Sequence, residues 1–264
     1  MLKKLLKYDL KWCLKVVTIY LSICLVFSII GRLIDLCPDS IFFKILGGVC
    51  KGAALSFGIT GLVNAIIRSW VRMTNNMYKD ESYLTHTIPV SINKIYLSKI
   101  ISTFMILIIC IITIIMSLVI MYLNDSTIEM LKTSLNIISN NLNVSIAGFV
   151  CFITLLLIAE MIFITFCGYF GIIFGYSFNN KKIMLTLLFG FGSYIVFSIL
   201  SIVLMMIIAI FNEDLNNIMF KGSEVVNYNL FKSLILIVTI LYTLYSGIVY
   251  YISNKKLSKG INID

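Results

Sequence analysis

The stretch Met77-Tyr78-Lys79-Asp80-Glu81-Ser82-Tyr83-Leu84-Thr85-His86-Thr87-Ile88-Pro89-Val90-Ser91 stands between two strongly apolar runs, residues 45–67 and 100–123. It holds two of the twelve acidic residues, the only histidine and one of the two prolines. Each flanking run is near the ~20 apolar residues that carry an α-helix across about 30 Å of hydrocarbon. Four more such runs follow the same rule, at 16–34, 146–175, 183–211 and 233–252. The reading is an all-α membrane protein with six transmembrane helices. The second, fourth and fifth spans run long, which implies tilt or extension beyond the lipid.

Composition points the same way. Of 264 residues, 60% are hydrophobic and 12% charged, with mean hydropathy +1.02. Soluble domains carry about 25% charged residues, so this chain lacks the surface a water-soluble fold needs. The net charge is +9. Its lysines and arginines flank the apolar runs, so they report topology rather than a nucleic-acid partner. Fifteen of the 21 Lys and Arg residues fall in 1–15, 68–99, 176–182 and 253–264. The positive-inside rule therefore places both termini and the 68–99 loop in the cytoplasm.

Residues 1–15 are expected to form an amphipathic interfacial helix. Leu2, Leu5, Leu6, Leu10 and Cys13 share one helical face, and Lys3, Lys7, Lys11 and Lys15 line another. Such a helix lies in the headgroup layer with its lysines towards anionic lipid, and Trp12 suits an interfacial anchor. The lysines before an apolar run resemble a signal peptide, but no small-residue cleavage site follows, so a retained first span is expected. The divisions are then 1–15 interfacial helix, 16–252 six-helix domain with cytoplasmic loop 68–99, and 253–264 cytoplasmic tail. In the outer loop 124–145, Ile128, Leu131, Leu135 and Ile138 fit one face of a short helix. Gly48 with Gly52, and Gly171 with Gly175, have G-x-x-x-G spacing. That spacing marks close helix contacts, or only the abundance of glycine in membrane helices.

Seven cysteines are scattered without a C-x-x-C pair, so zinc and redox motifs find no support and no metal is expected. No H-E-x-x-H occurs, and His86 stands alone in a loop, which disfavours a membrane metalloprotease. No G-x-x-x-x-G-K-[ST] phosphate loop occurs, so no ATPase motor is expected in this chain.

The 68–99 loop reads as a stiff knuckle. Arg68 to Met77 extends the second span as a polar helix. Asp80 and Glu81 supply negative charge where a short helix begins. Tyr83, Leu84 and Ile88 give it an apolar side, and Pro89 ends it. Tyr78-Lys79-Asp80-Glu81-Ser82-Tyr83-Leu84-Thr85-His86-Thr87-Ile88-Pro89-Val90-Ser91, followed by Ser98-Lys99, resembles the loop of ABC-2-type transporter permeases of Gram-positive bacteria. Their pattern is approximately E-G-Y-L-T-x-T-L-P-V-S and then S-K. Ser82 replaces the usual glycine and Ile88 the usual leucine. The resemblance implies a permease subunit of a bacterial ABC exporter in the cytoplasmic membrane. It implies a second permease copy or paralogue and two cytosolic ATPase subunits that carry ATP and Mg. It also implies that Tyr78, Asp80, Glu81, Tyr83, Leu84, Thr85, Ile88 and Pro89 couple to the ATPase. Substrates of such permeases include antimicrobial peptides, other hydrophobic compounds and drugs. The alternative is a non-ATPase channel-like or structural membrane protein.

Two charges fall inside spans. Lys51 lies about 24 Å from the inner end of the second, and Glu160 about 22 Å from that of the fourth, at 1.5 Å per residue. Equal depth permits an ion pair or a polar patch along a substrate path, or a Lys51 that snorkels to the outer surface.

Overall fold

The computed structural model describes residues 2–38, 40–122, 129, 132–137, 145–212, 215–216 and 228–260. Its principal elements are α1 (Leu2–Ile34), α2 (Ile41–Tyr78), α3 (Ser82–Thr87), α4 (Ile92–Tyr122), α5 (Ile146–Gly175), α6 (Lys182–Phe211) and α7 (Tyr228–Leu257). No strand occurs among the described residues. Six of these helices are long and apolar enough to cross a membrane, all but the six-residue α3. Their outward faces agree with that. Ile183, Leu187, Phe191, Ile195 and Ile199 are all exposed along α6, and contiguous apolar surface of this kind is rare on soluble monomers. Residues 132–137 are helical, in line with a short helix in the 124–145 segment, while Ile128, Leu131 and Ile138 lie outside the described residues.

The expected interfacial helix is not a separate element. Residues 2–34 form one unbroken helix of 33 residues, about 50 Å long at 1.5 Å per residue. No proline or glycine interrupts 2–30, so nothing in the backbone turns the chain into the plane of a bilayer. The lysine stripe is exposed as expected. The opposite face carries Asp9, Cys13, Val17, Leu21, Cys24, Ser28 and Gly31, all buried at helical spacing.

The chain divides into two compact units, one built on α1–α4 and the other on α5–α7. In the first, small residues on α2 bring helices together. A Cβ on Gly58 would meet Cys24 and Ile114, and one on Gly61 would meet Leu21 and Tyr20. The hydroxyls of Ser28 and Ser117 lie 2.6 Å apart in the same core. The cap of α2 is Ser40, whose hydroxyl accepts from the Phe43 amide at 3.3 Å. Cys37 and Cys50 are free thiols.

In the second unit, α5 packs against α6 and α7. A Cβ on Gly171 would strike the Thr186 carbonyl and the Gly190 backbone, and one on Gly175 would strike Thr186. This pair is a close helix seam. Gly48 and Gly52 have the same spacing but open space around them. Beside the seam, Phe163 and Phe197 are buried with ring centroids 4.4 Å apart, packed by Tyr242 and Tyr245. The Tyr245 hydroxyl donates to the Ser193 carbonyl at 2.8 Å.

One substitution therefore has opposite effects at the two glycine pairs. Gly175→Ala is expected to lower stability by at least about 1–3 kcal/mol through overpacking. Gly48→Ala is expected to be neutral or stabilising by up to about 1 kcal/mol, since it only improves helix propensity. Thermal denaturation of both variants in detergent checks the contrast.

Candidate functional site

The polar residues of the first unit converge beneath α3. Arg72 and Asn76 are four residues apart on α2 and so share a face. Asp9 comes from α1, Glu81 from the position just before α3, and Ser98 and Lys99 from the second turn of α4. Arg72 donates from Nε to Asp9 Oδ1 at 3.0 Å and from Nη1 to Glu81 Oε2 at 2.6 Å. Asn76 donates from Nδ2 to the same Glu81 oxygen at 2.6 Å. Lys99 Nζ donates to Asn76 Oδ1 and to Asp9 Oδ1, each at 2.5 Å. The bonds close on themselves: Asp9, Arg72, Glu81, Asn76, Lys99, Asp9. Ser98 Oγ lies 3.0 Å from the other Asp9 oxygen.

Two carboxylates face two cations, so the ring is electrically neutral. Its chemistry also sets the Asn76 amide, because only one orientation gives N–H to a carboxylate and C=O to an ammonium. Burial differs along the ring. Asp9 and Lys99 are each 2% exposed, whereas the Glu81 side chain is 41% exposed. A charge removed from water is tolerated only when paired and hydrogen-bonded, and Asp9 meets that condition at both oxygens. The Trp12 ring covers the ring's arginine side, with the Arg68 and Arg72 guanidinium carbons 5.1 and 5.5 Å from its centroid.

The backbone of α3 is tied down as well. The Glu81 amide donates to Asn75 C=O at 3.3 Å, and the Ser82 amide to Lys79 C=O at 2.7 Å. Thr85 Oγ1 donates to the Glu81 carbonyl at 2.9 Å. His86 Nε2 lies 3.3 Å from the Met77 carbonyl, which joins α3 to the end of α2. Ile88 is extended at φ −71°, ψ 132°, as a residue before proline prefers. Glycine is not required at 82, because Lys181 is the only described non-glycine residue with positive φ. The Ser82 hydroxyl, however, is buried and has no hydrogen-bond partner among the described residues.

The eight residues expected to couple to an ATPase separate into two sets. Tyr78 and Thr85 are buried and Glu81 belongs to the ring. Asp80, Tyr83, Leu84 and Pro89 are exposed and Ile88 is half-buried. Tyr83 is 67% and Leu84 72% exposed, so a short helix held rigidly from behind presents two large apolar side chains. The sequence reading missed the ring. Asp9 occupies a position four residues from both Leu5 and Cys13, on the apolar face, and an acid there was the available signal.

Lys51 is engaged within the first unit. Its ammonium lies 2.7 Å from Asp35, just past the end of α1, and 5.6 Å from the centre of the Tyr122 ring. Glu160 sits in α5, half-buried, and has no hydrogen bond or ion pair among the described residues.

Comparison with family models, curated proteins and solved structures finds no match to this chain.

A charge swap out of the ring tests its logic. Asp9→Leu leaves Lys99 and Arg72 short of an acceptor and is expected to cost about 3–5 kcal/mol. Adding Lys99→Met should restore most of that, since Arg72 keeps Glu81. Ser82→Ala removes an unsatisfied buried hydroxyl and is expected to be neutral or stabilising by roughly 1–3 kcal/mol. Thermal unfolding of the purified variants reads all three.

Proposed function

We propose that this chain is the transmembrane permease subunit of an ATP-driven ABC exporter in a bacterial cytoplasmic membrane. It works with a second permease, a copy or a paralogue, and with two cytosolic ATPase subunits that hold ATP and Mg. The cargo is a hydrophobic or peptide-like compound, such as an antimicrobial peptide or a drug. Both termini and α3 face the cytoplasm in this reading.

The observation that carries it is the build of α3. A six-residue helix is clamped by a closed ion ring and by His86, and it offers exposed Tyr83 and Leu84. A partner that pushes on such a helix moves α1, α2 and α4 together, because Asp9, Arg72 and Lys99 sit one on each. A flexible loop would absorb the same push. A channel-like protein without a motor has no use for an apolar surface so rigidly mounted.

The test is affinity purification from native membranes in mild detergent, comparing wild type with a Tyr83→Ser, Leu84→Asp double variant. Both positions are exposed, so the ring and the fold are left intact. A protein with a phosphate-binding loop is expected to accompany the wild type and to fall at least tenfold with the variant. Absence of any such ATPase from the wild-type sample, or equal recovery with both forms, contradicts the proposal.

A further inference from the structure

Glu160 occupies the middle of α5, a 30-residue helix, about 21 Å from either end at 1.5 Å per residue. A carboxylate at that depth costs about 2.5–3.5 kcal/mol on insertion scales and is expected to face a partner or a polar path. The described lysines of the same unit lie at helix ends. Lys132 opens the short helix 132–137, Lys181 and Lys182 stand at the α5–α6 turn, Lys232 lies in the second turn of α7, and Lys255, Lys256 and Lys259 at its end.

Aromatic rings surround the same level. Phe163, one helical turn on from Glu160, is buried at 1% exposure. Its ring centroid lies 5.1 Å from that of Tyr242 on α7 and 5.7 Å from that of Tyr194 on α6. Tyr194 is 49% exposed, and Tyr242 is half-buried with one ring face stacked on Phe197 at 5.0 Å. Neither hydroxyl makes a hydrogen bond among the described residues. Glu160 shares the helix face of Phe163, three residues away, and so lies one turn from the rings that Phe163 packs against. One carboxylate and two phenols are too few oxygen donors for Ca²⁺ or Mg²⁺. Tyrosine faces beside a carboxylate suit a large, weakly hydrated cation instead.

We propose that Glu160, Tyr194 and Tyr242 form a binding site for a lipophilic organic cation. The carboxylate supplies the counter-charge and the two rings supply cation–π and apolar contact. As a statement about transported cargo, this rests on the exporter reading and makes the cargo a cationic amphiphile. As a statement about binding, it stands without an ATPase.

The test uses the full chain purified in neutral detergent and tetraphenylphosphonium as the probe. Wild type is expected to bind it saturably. Glu160→Gln should weaken binding at least tenfold, Tyr242→Leu several-fold, and Glu160→Asp should retain most of it. Tetraphenylborate, of the same shape and opposite charge, should not compete. Absence of saturable binding to wild type, equal binding by Glu160→Gln, or competition by tetraphenylborate overturns the proposal. The borate comparison needs only wild type, so a poorly folding variant does not blunt the test. Because no ATPase is present, failure here is distinct from failure of the co-purification.

Discussion

Asp9 is a carboxylate out of water, and the first unit is arranged to make that tolerable. Its two oxygens require donors, and no residue of α1 supplies them. Arg72 comes from α2 and Lys99 from α4, with Ser98 beside it. Each cation brings a further need. Arg72 has guanidinium N–H groups left over, which Glu81 receives, and Lys99 has spare protons, which the Asn76 carbonyl receives. Satisfying one buried charge thus fixes three long helices and the start of α3 relative to one another. The ring is neutral, so its contribution is positional more than energetic: a buried ion pair is weak support for stability but costly to break.

That constraint explains the behaviour of the N-terminal segment. A helix free to lie in the headgroup layer would keep Asp9 in water. Here Asp9 and Cys13 are buried while Lys3, Lys7, Lys11 and Lys15 stay exposed. The first four turns of α1 thus belong to the helical unit beneath α3. The second unit resolves similar demands differently. Its helices close on the Gly171, Gly175 and Thr186 seam and on an aromatic cluster. Its embedded acid, Glu160, is left without a cation among the described residues, whereas Asp9 has two.

The six long helices were legible from apolar run length, and the short α3 from Asp80-Glu81, the Tyr83, Leu84, Ile88 side and Pro89. Those features are local. The ring is not local: Asp9 meets Arg72 across 63 residues and Lys99 across 90. No spacing rule reaches that far, and the ordinary inference from lysines and arginines near span ends was topology. Lys51 had a legible charge but an illegible partner, since Asp35 becomes a neighbour only when α1 and α2 turn back on each other. The two G-x-x-x-G pairs look alike in sequence, and only the residues opposite them tell a seam at Gly171 and Gly175 from open space at Gly48 and Gly52. Residues 1–15, read as an interfacial helix ahead of the first span, continue into it as one helix because nothing in the backbone there ends it.

The central claim is that the ion ring makes α3 a rigid extension of α1, α2 and α4. Hydrogen exchange of the full chain, followed by mass spectrometry over residues 79–91, tests it most directly. The account expects the Glu81, Ser82 and Thr85 amides to exchange slowly in the wild type. In an Asp9→Asn variant they should exchange much faster, with α5 to α7 unchanged. Wild-type amides exchanging as fast as an unstructured loop, or protection indifferent to Asp9, would contradict it.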